Sequence, residues 1–282
     1  MATIGEIFNK KAVGDGKSRF GVEIELEGVN RDVGRVDGWS QEADGSLRDN
    51  GREFVFAGAK TLVESRKAFT ELHNAFNRVN LRPKATNLTS THIHIDIRDL
   101  TVQQFLNLVA IIMMVEEDLA NASGEDRKTN YFALSTCESD HRLRDLIEVK
   151  DDEGLRAFVR NQVRKDVRYS GINFNSIHQH GSLELRYLGG KANPNEVMPW
   201  LVFYDNCVKL AKKGLDFEEL FRNISIDGTA HIERLIQPNF PLTIENVIEG
   251  IRNAQMFILG TVYREISADH NGNGLHNYYM NH

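Results

Sequence analysis

The sequence predicts an α+β protein: a curved antiparallel β-sheet with a polar concave face, and helices packed on its other side. Three observations lead there. Five short stretches alternate strictly between apolar and polar residues, the period of a strand that buries one face. Between and after them run segments whose apolar residues recur at helical spacing. The polar positions of the strands are filled largely by carboxylates and imidazoles. Such a face is costly unless something positive sits among them, so it reads as the lining of a cavity rather than as a solvated surface.

With 282 residues, 41% of them hydrophobic, the chain is long enough for one large domain or two small ones. We divide it into a short polar lead-in (1–17), one domain (18–266, with its motifs in 18–210 and a helical C-terminal part in 194–266) and a polar tail (267–282). A net charge of -6 and a pI near 5.9 argue against a general nucleic-acid binder. Cys137 and Cys207 have no metal-ligand spacing and make no disulfide framework, which points to a reduced, cytoplasmic setting. The opening MATIGEIFNKK has no apolar signal core. The longest apolar run, Leu108 to Val115, is too short to span a bilayer, so no membrane partner is expected. Oligomeric state is left open.

The first strand is the central one. In Ser18–Gly28, Glu23, Glu25 and Glu27 alternate with Val22, Ile24 and Leu26. Residues 28–51 read as a polar, glycine-rich connection with Trp39 as its one large apolar anchor and a tight turn at Asp44-Gly-Ser46. A second strand, Arg52–Phe56, sets Glu53 and Val55 opposite Phe54 and Phe56. Leu62, Phe69, Leu72, Ala75 and Phe76 stripe a helix over 59–79. In the third strand, Thr89–Ile97, His92, His94 and Asp96 share a face opposite Ile93, Ile95 and Ile97. One long buried helix is expected over 101–121. Charged helices follow around 140–149 and 152–165; in the latter Arg156, Arg160 and Arg164 align on one face, most simply a solvated one. The fourth strand, Tyr169–Asn175, sets Asn173 and Asn175 against Ile172 and Phe174. A turn at His178–Gly181 leads to the fifth, Ser182–Leu188, with Ser182, Glu184 and Arg186 on its polar face. Asn193 caps a helix with Pro194 at its first position. That helix runs to Lys213, and further helices fall at 216–223, 229–236 and 243–266.

If the strands form one sheet, Glu23, Glu25, Glu53, His92, His94, Asn173, Glu184 and Arg186 line a single cavity. Each pair alone is weak, since Glu-x-Glu or His-x-His on a strand is often only structural. Several carboxylates with one or two imidazoles suit Mg2+ or Mn2+, and Mg2+ commonly binds together with substrate phosphates, which makes ATP the natural co-ligand. Arg186, two residues from Glu184, stands where a cation would neutralise a phosphoryl group in transfer.

The order of motifs resembles the amidoligase family: GVEIELEG, DGSL, REFVF, the Ser/Thr-x-His-x-His strand, YSGINF and GSLELRYLGG, over roughly 18–210. That family belongs to the glutamine synthetase and glutamate–cysteine ligase superfamily of carboxylate–amine ligases. The resemblance implies a glutamine synthetase-like catalytic sheet. It implies that Glu23, Glu25, Glu53, His92 and Glu184 hold metal and that Arg186, with Glu53, serves catalysis. His92, His94, Arg168 and Lys191 would meet ATP phosphates, and Asp44, Ser46 and Asn173 the substrate. The string Asn271–His276 also looks like glutamine synthetase but lies out of order, and His92 is kept as the equivalent histidine.

The function expected is an ATP- and Mg2+-dependent carboxylate–amine ligase that works through an acyl phosphate. Its partners would be small-molecule or peptide carboxylates and amines. The alternatives are a metal-dependent guanidino-type kinase on the same fold and a nucleotide-binding module without turnover. The chain shows no nucleophile elbow and no Walker loop, which suits direct phosphoryl transfer from ATP.

Overall fold

Alternation builds the sheet as expected, with one strand more than expected. The computed structural model describes residues 1–124, 146–165 and 170–269. Among these, β1 (Phe20–Leu26), β2 (Trp39–Ala43), β3 (Arg52–Phe56), β4 (Ser90–Asp96), β5 (Ile172–Asn173) and β6 (Ser182–Gly189) form one open antiparallel sheet. Its order is β2-β3-β1-β4-β6-β5. β1 lies at its centre, with β3 on one side and β4 on the other.

β2 is the strand that periodicity did not reveal. It is an edge strand in which only Trp39 is buried, so Ser40 to Ala43 carry no apolar alternation. The Trp39 indole donates to the Ala68 carbonyl and packs edge-on against Phe69, which ties the edge to the helix behind it. The fourth strand is shorter than expected: β5 holds Ile172 and Asn173 alone, Ser170 makes a separate bridge, and Tyr169 lies outside the described residues.

Register decides which side chains meet. Glu23 stands opposite His92, Gly21 opposite His94, and Glu25 opposite Glu53. His94 stands opposite Glu184, which stands opposite Asn173. Between β4 and β6 the register shifts: Thr91 pairs with Leu188 but Ile93 with Leu185, so Arg186 and Tyr187 together face His92.

The other face is apolar. Phe20, Ile24, Ile93, Ile95 and Leu185 are buried in one core with Phe69 and Leu72 of α2 (Leu62–Arg78), with α3 (Val102–Met114) and with α7 (Pro194–Lys213). The polar lead-in is part of the fold. A Thr3–Glu6 capping box opens α1 (Ile4–Ile7), and both isoleucines are buried. The long helix expected over 101–121 is two. It breaks at Val115, and α4 (Glu116–Ala122) turns Glu116 inward to accept a hydrogen bond from the Tyr187 hydroxyl at 2.5 Å. Then come α5 (Asp152–Lys165) and α6 (Asn175–His180). α6 replaces the turn expected at 178–181, because Gly181 at φ 71° is the left-handed residue that ends a helix. The remaining helices are α7 with its Asn193 cap, α8 (Phe217–Asp227), α9 (Ala230–Ile236) and α10 (Ile244–Asp269). No helix among the described residues is long and apolar enough to cross a membrane. The helical stretch expected around 140–149 falls largely outside the described residues, as do Cys137 and 270–282 of the tail.

Packing at β5 gives a first expectation. A Cβ on Gly171 would lie 2.2 Å from the Tyr187 ring, and the Gly171 carbonyl accepts a hydrogen bond from the Arg186 amide at 2.9 Å. Gly171→Ala must displace either the ring or the edge of the sheet. A destabilisation of about 1–3 kcal/mol is expected by urea unfolding. An unchanged midpoint would show that the ring moves freely.

Candidate active site

The polar face gathers most of the residues singled out in the sequence. Glu23 reaches both histidines: its Oε2 lies 3.3 Å from His92 Nδ1 and its Oε1 3.3 Å from His94 Nε2. Glu184 Oε1 lies 3.6 Å from His92 Nδ1 and accepts from Arg186 Nε at 2.6 Å. Its Oε2 accepts from Asn173 Nδ2 at 2.7 Å. Glu25 accepts from the Ser90 hydroxyl at 2.5 Å, and that hydroxyl sits 2.7 Å from His92 Nε2.

Ligand atoms of Glu23, His94 and Glu184 all lie within 4.8 Å of one another, a spacing that one cation can bridge. The histidine in this trio is His94, where the motif order suggested His92. The chemistry of His94 fits a metal. Its Nδ1 lies 3.0 Å from the Ser176 hydroxyl and 3.2 Å from that of Ser182, which are themselves 2.8 Å apart. Its Nε2 is buried and, despite its 3.3 Å approach to Glu23, makes no contact with the geometry of a hydrogen bond. A ring held at one nitrogen with the other aimed at two carboxylates is the usual posture of a metal-ligating histidine. Gly21 makes room for it, since a Cβ there would sit 3.2 Å from His94 Cβ.

The electrostatics agree. Burial would raise Glu23, but the hydrogen bond with His92 and the close positive charge of His94 and His92 outweigh it and hold its carboxyl well below the ordinary range. Glu184 behaves alike: burial opposes ionisation, and His94, His92 and Arg186 overcome it. Burial favours neutral His94, yet Glu23 and Glu184 push its pKa upward.

Glu53 differs. It faces Glu25 on one side and Glu42 on the other. Burial, then the charges of Glu23, Glu25, Asp44 and Glu42, push it up to about 7. A carboxyl whose folded value is raised binds its proton more tightly folded than unfolded. Stability therefore falls as pH rises from 4.5 through about 7. In metal-free protein, the gain in Tm of Glu53→Gln over the natural chain is expected to grow across that window. A pH-independent difference would remove Glu53 from the acidic row.

Other expected residues lie apart. The Asp44 carboxylate accepts from the amide and hydroxyl of Ser46 at 2.8 and 2.7 Å, an exposed turn whose charge reaches Glu53. Lys191 pairs with Glu196 at 2.9 Å and lines a separate groove of about 440 Å³ beside Leu26 and His73, which holds none of the trio. Glu27 is structural: its carboxylate accepts from the Arg48 amide at 2.7 Å. Arg168 and the 271–276 string lie outside the described residues. A cavity of about 380 Å³ opens on two of the trio, Glu23 and His94, and is lined by Ser182, His180, Val55 and Phe56 among others, while Glu184 lies buried behind His94 in the sheet. We locate the site there, by chemistry rather than by size. Sequence reasoning missed Ser176 and His180. Read as a helix, Asn175–His180 would have put them on one face, four residues apart.

Over residues 55–208, a little more than half of the chain, the sequence matches the model of a family described as "Putative amidoligase enzyme". The matched span contains His92, His94, Glu184 and Arg186 and begins after Glu23 and Glu25. No curated protein matches the chain.

Proposed function

Given that the chain belongs to this amidoligase family, we propose that it is an ATP- and Mg2+-dependent carboxylate–amine ligase of the glutamine synthetase and glutamate–cysteine ligase superfamily. Its sheet would curve as a glutamine synthetase-like catalytic sheet does. The observation that carries this reading is the convergence of Glu23, His94 and Glu184, with the buried His94 Nε2 turned toward the carboxylates.

In this reading Glu23, His94 and Glu184 hold the cation, and Glu25, Glu53 and His92 extend its acidic floor. Bound Mg2+ (or Mn2+) would supply charge neutralisation for the ATP phosphates. A substrate carboxylate oxygen attacks the γ-phosphorus, the bond to ADP breaks, and an acyl phosphate forms. The amine nitrogen then attacks the acyl carbon, loses a proton and expels phosphate. Arg186 steadies the phosphoryl charge, and His92 and His94 border its path. Asn173 fixes Glu184, and the Asp44–Ser46 turn borders the substrate. Carboxylate and amine are small molecules or peptides.

An ADP-release screen with Mg2+ that crosses carboxylates with amines, with products identified by mass spectrometry, tests the reading. ADP release that requires an amine, with an amide as product, supports it. ADP release with a stable phosphorylated compound would make the protein a kinase. ATP binding without ADP formation across the panel would leave a nucleotide-binding module.

A further inference from the structure

The arginine row of α5 has no part in the chemistry above. Arg156, Arg160 and Arg164 stand four residues apart on a 14-residue helix and are all exposed. Their side chains therefore repeat about every 6 Å along one face. Among the described residues none of the three makes a hydrogen bond or ion pair, and the Arg156 guanidinium lies over the Phe8 ring at 5.9 Å. Beside the row, Phe8, Val159 and Val163 floor a groove of about 300 Å³, with His178 also lining it.

This groove adjoins the active site. His178 lines it, whereas His180, two residues on in α6, lines the trio's cavity and packs edge-on against His94 at 5.9 Å. Residues two apart on a helix point about 200° apart, so α6 is the wall shared by groove and cavity. Lys10 Nζ donates to the Gln179 carbonyl at 2.9 Å and pins the N-terminal segment, with Phe8, to that wall.

We propose that the groove binds an acidic peptide, an extended chain with carboxylates at alternate residues that lies along α5 and brings a carboxyl group over α6 to the Glu23–His94–Glu184 site. Alternate residues of an extended chain are about 6.7 Å apart, close to the arginine repeat. Each carboxylate meets a guanidinium fork that no hydrogen bond or ion pair from another described residue occupies. The intervening residues cover the apolar floor. A nucleic-acid strand also spaces its charges evenly. Its bases would need an open aromatic face to stack on, and the floor's aromatic ring, Phe8, is already covered by Arg156. Binding stands on the groove alone; delivery of the carboxyl rests on the ligase reading.

Fluorescence anisotropy of a labelled hexapeptide alternating glutamate and alanine, at low salt without ATP or Mg2+, tests the binding. Each of Arg156→Gln, Arg160→Gln and Arg164→Gln is expected to raise Kd about two- to fivefold, the range of surface ion pairs. The triple variant, its fold checked by thermal melt, should raise it on the order of tenfold or more. Binding should weaken with salt, and the glutamine–alanine peptide should not compete. Unchanged affinity in the triple variant, equal binding of the glutamine peptide, or tighter arginine-dependent binding of a single-stranded hexanucleotide would overturn the proposal. The triple variant should also release ADP at the natural rate with small carboxylates and show a raised KM for the peptide. ADP release with small substrates but no peptide binding removes the groove and keeps the ligase. Arginine-dependent binding of a peptide that is never consumed, in a chain that forms no ADP, does the reverse.

Discussion

If Glu184 holds the proposed cation, adding Mg2+ or Mn2+ should raise the Tm of the natural chain, and Glu184→Gln is expected to abolish that rise and to lower the proposed ATP-dependent turnover by on the order of a hundredfold or more. The substitution keeps the shape of the side chain and removes its charge. That charge has three partners: Arg186 at 2.6 Å, Asn173 at 2.7 Å and His92 at 3.6 Å. Glu184 is buried, so without metal the variant leaves Arg186 and the imidazoles short of compensation, a loss of about 3–5 kcal/mol for a broken buried pair. Lower stability alone therefore does not establish a metal role. The discriminating measurement is the Tm shift on adding Mn2+, taken on both proteins at several pH values. The proton on His94 competes with metal, and its pKa is raised, so the shift in the natural chain should fade as pH falls. A Glu184→Gln protein with a lowered Tm and an undiminished Mn2+ shift would reduce Glu184 to a structural ion-pair partner.

How much of this was legible in the sequence follows from which signals were local. The strict alternation of β1, β3, β4 and β6 placed Glu23, Glu25, Glu53, His92, His94, Glu184 and Arg186 on one face, and pairing in the sheet keeps them there. Parity alone could not separate His92 from His94. Cross-strand register separates them in the structure: it sets His94 against the small Gly21 and against Glu184 and puts His92 at a register shift. Edge strand β2 escaped because an edge exposed on both faces needs no apolar alternation. α6 escaped because Gly181 marks a helix end and a turn with the same residue. Lys191, which the resemblance set among the phosphate contacts, pairs with Glu196 in the first turn of α7. No sequence signal separates such a lysine from a ligand-binding one.

Arg186→Ala should separate binding from chemistry. If Arg186 acts on the phosphoryl group in flight, Mg·ATP binding stays largely intact and single-turnover ADP formation slows by about 10²–10³-fold, the loss seen on removing one preorganised charge stabiliser. The structure gives Arg186 a second duty, since its Nε donates to Glu184 Oε1 within the buried face. A purely structural arginine predicts a different pattern. Its removal strips positive charge from among Glu184, Glu23 and their neighbours, so Tm falls without metal and added Mg2+ binds more tightly and restores it. Arg186→Lys sharpens the comparison. It keeps a charge near Glu184 but loses the planar fork that can hold a carboxylate and a phosphoryl oxygen together. Under the catalytic role the lysine variant recovers most of the Tm and little of the rate. Under the structural role it recovers both. A stable Arg186→Ala protein with the natural single-turnover rate would end the catalytic assignment and leave Arg186 as the counter-ion of Glu184.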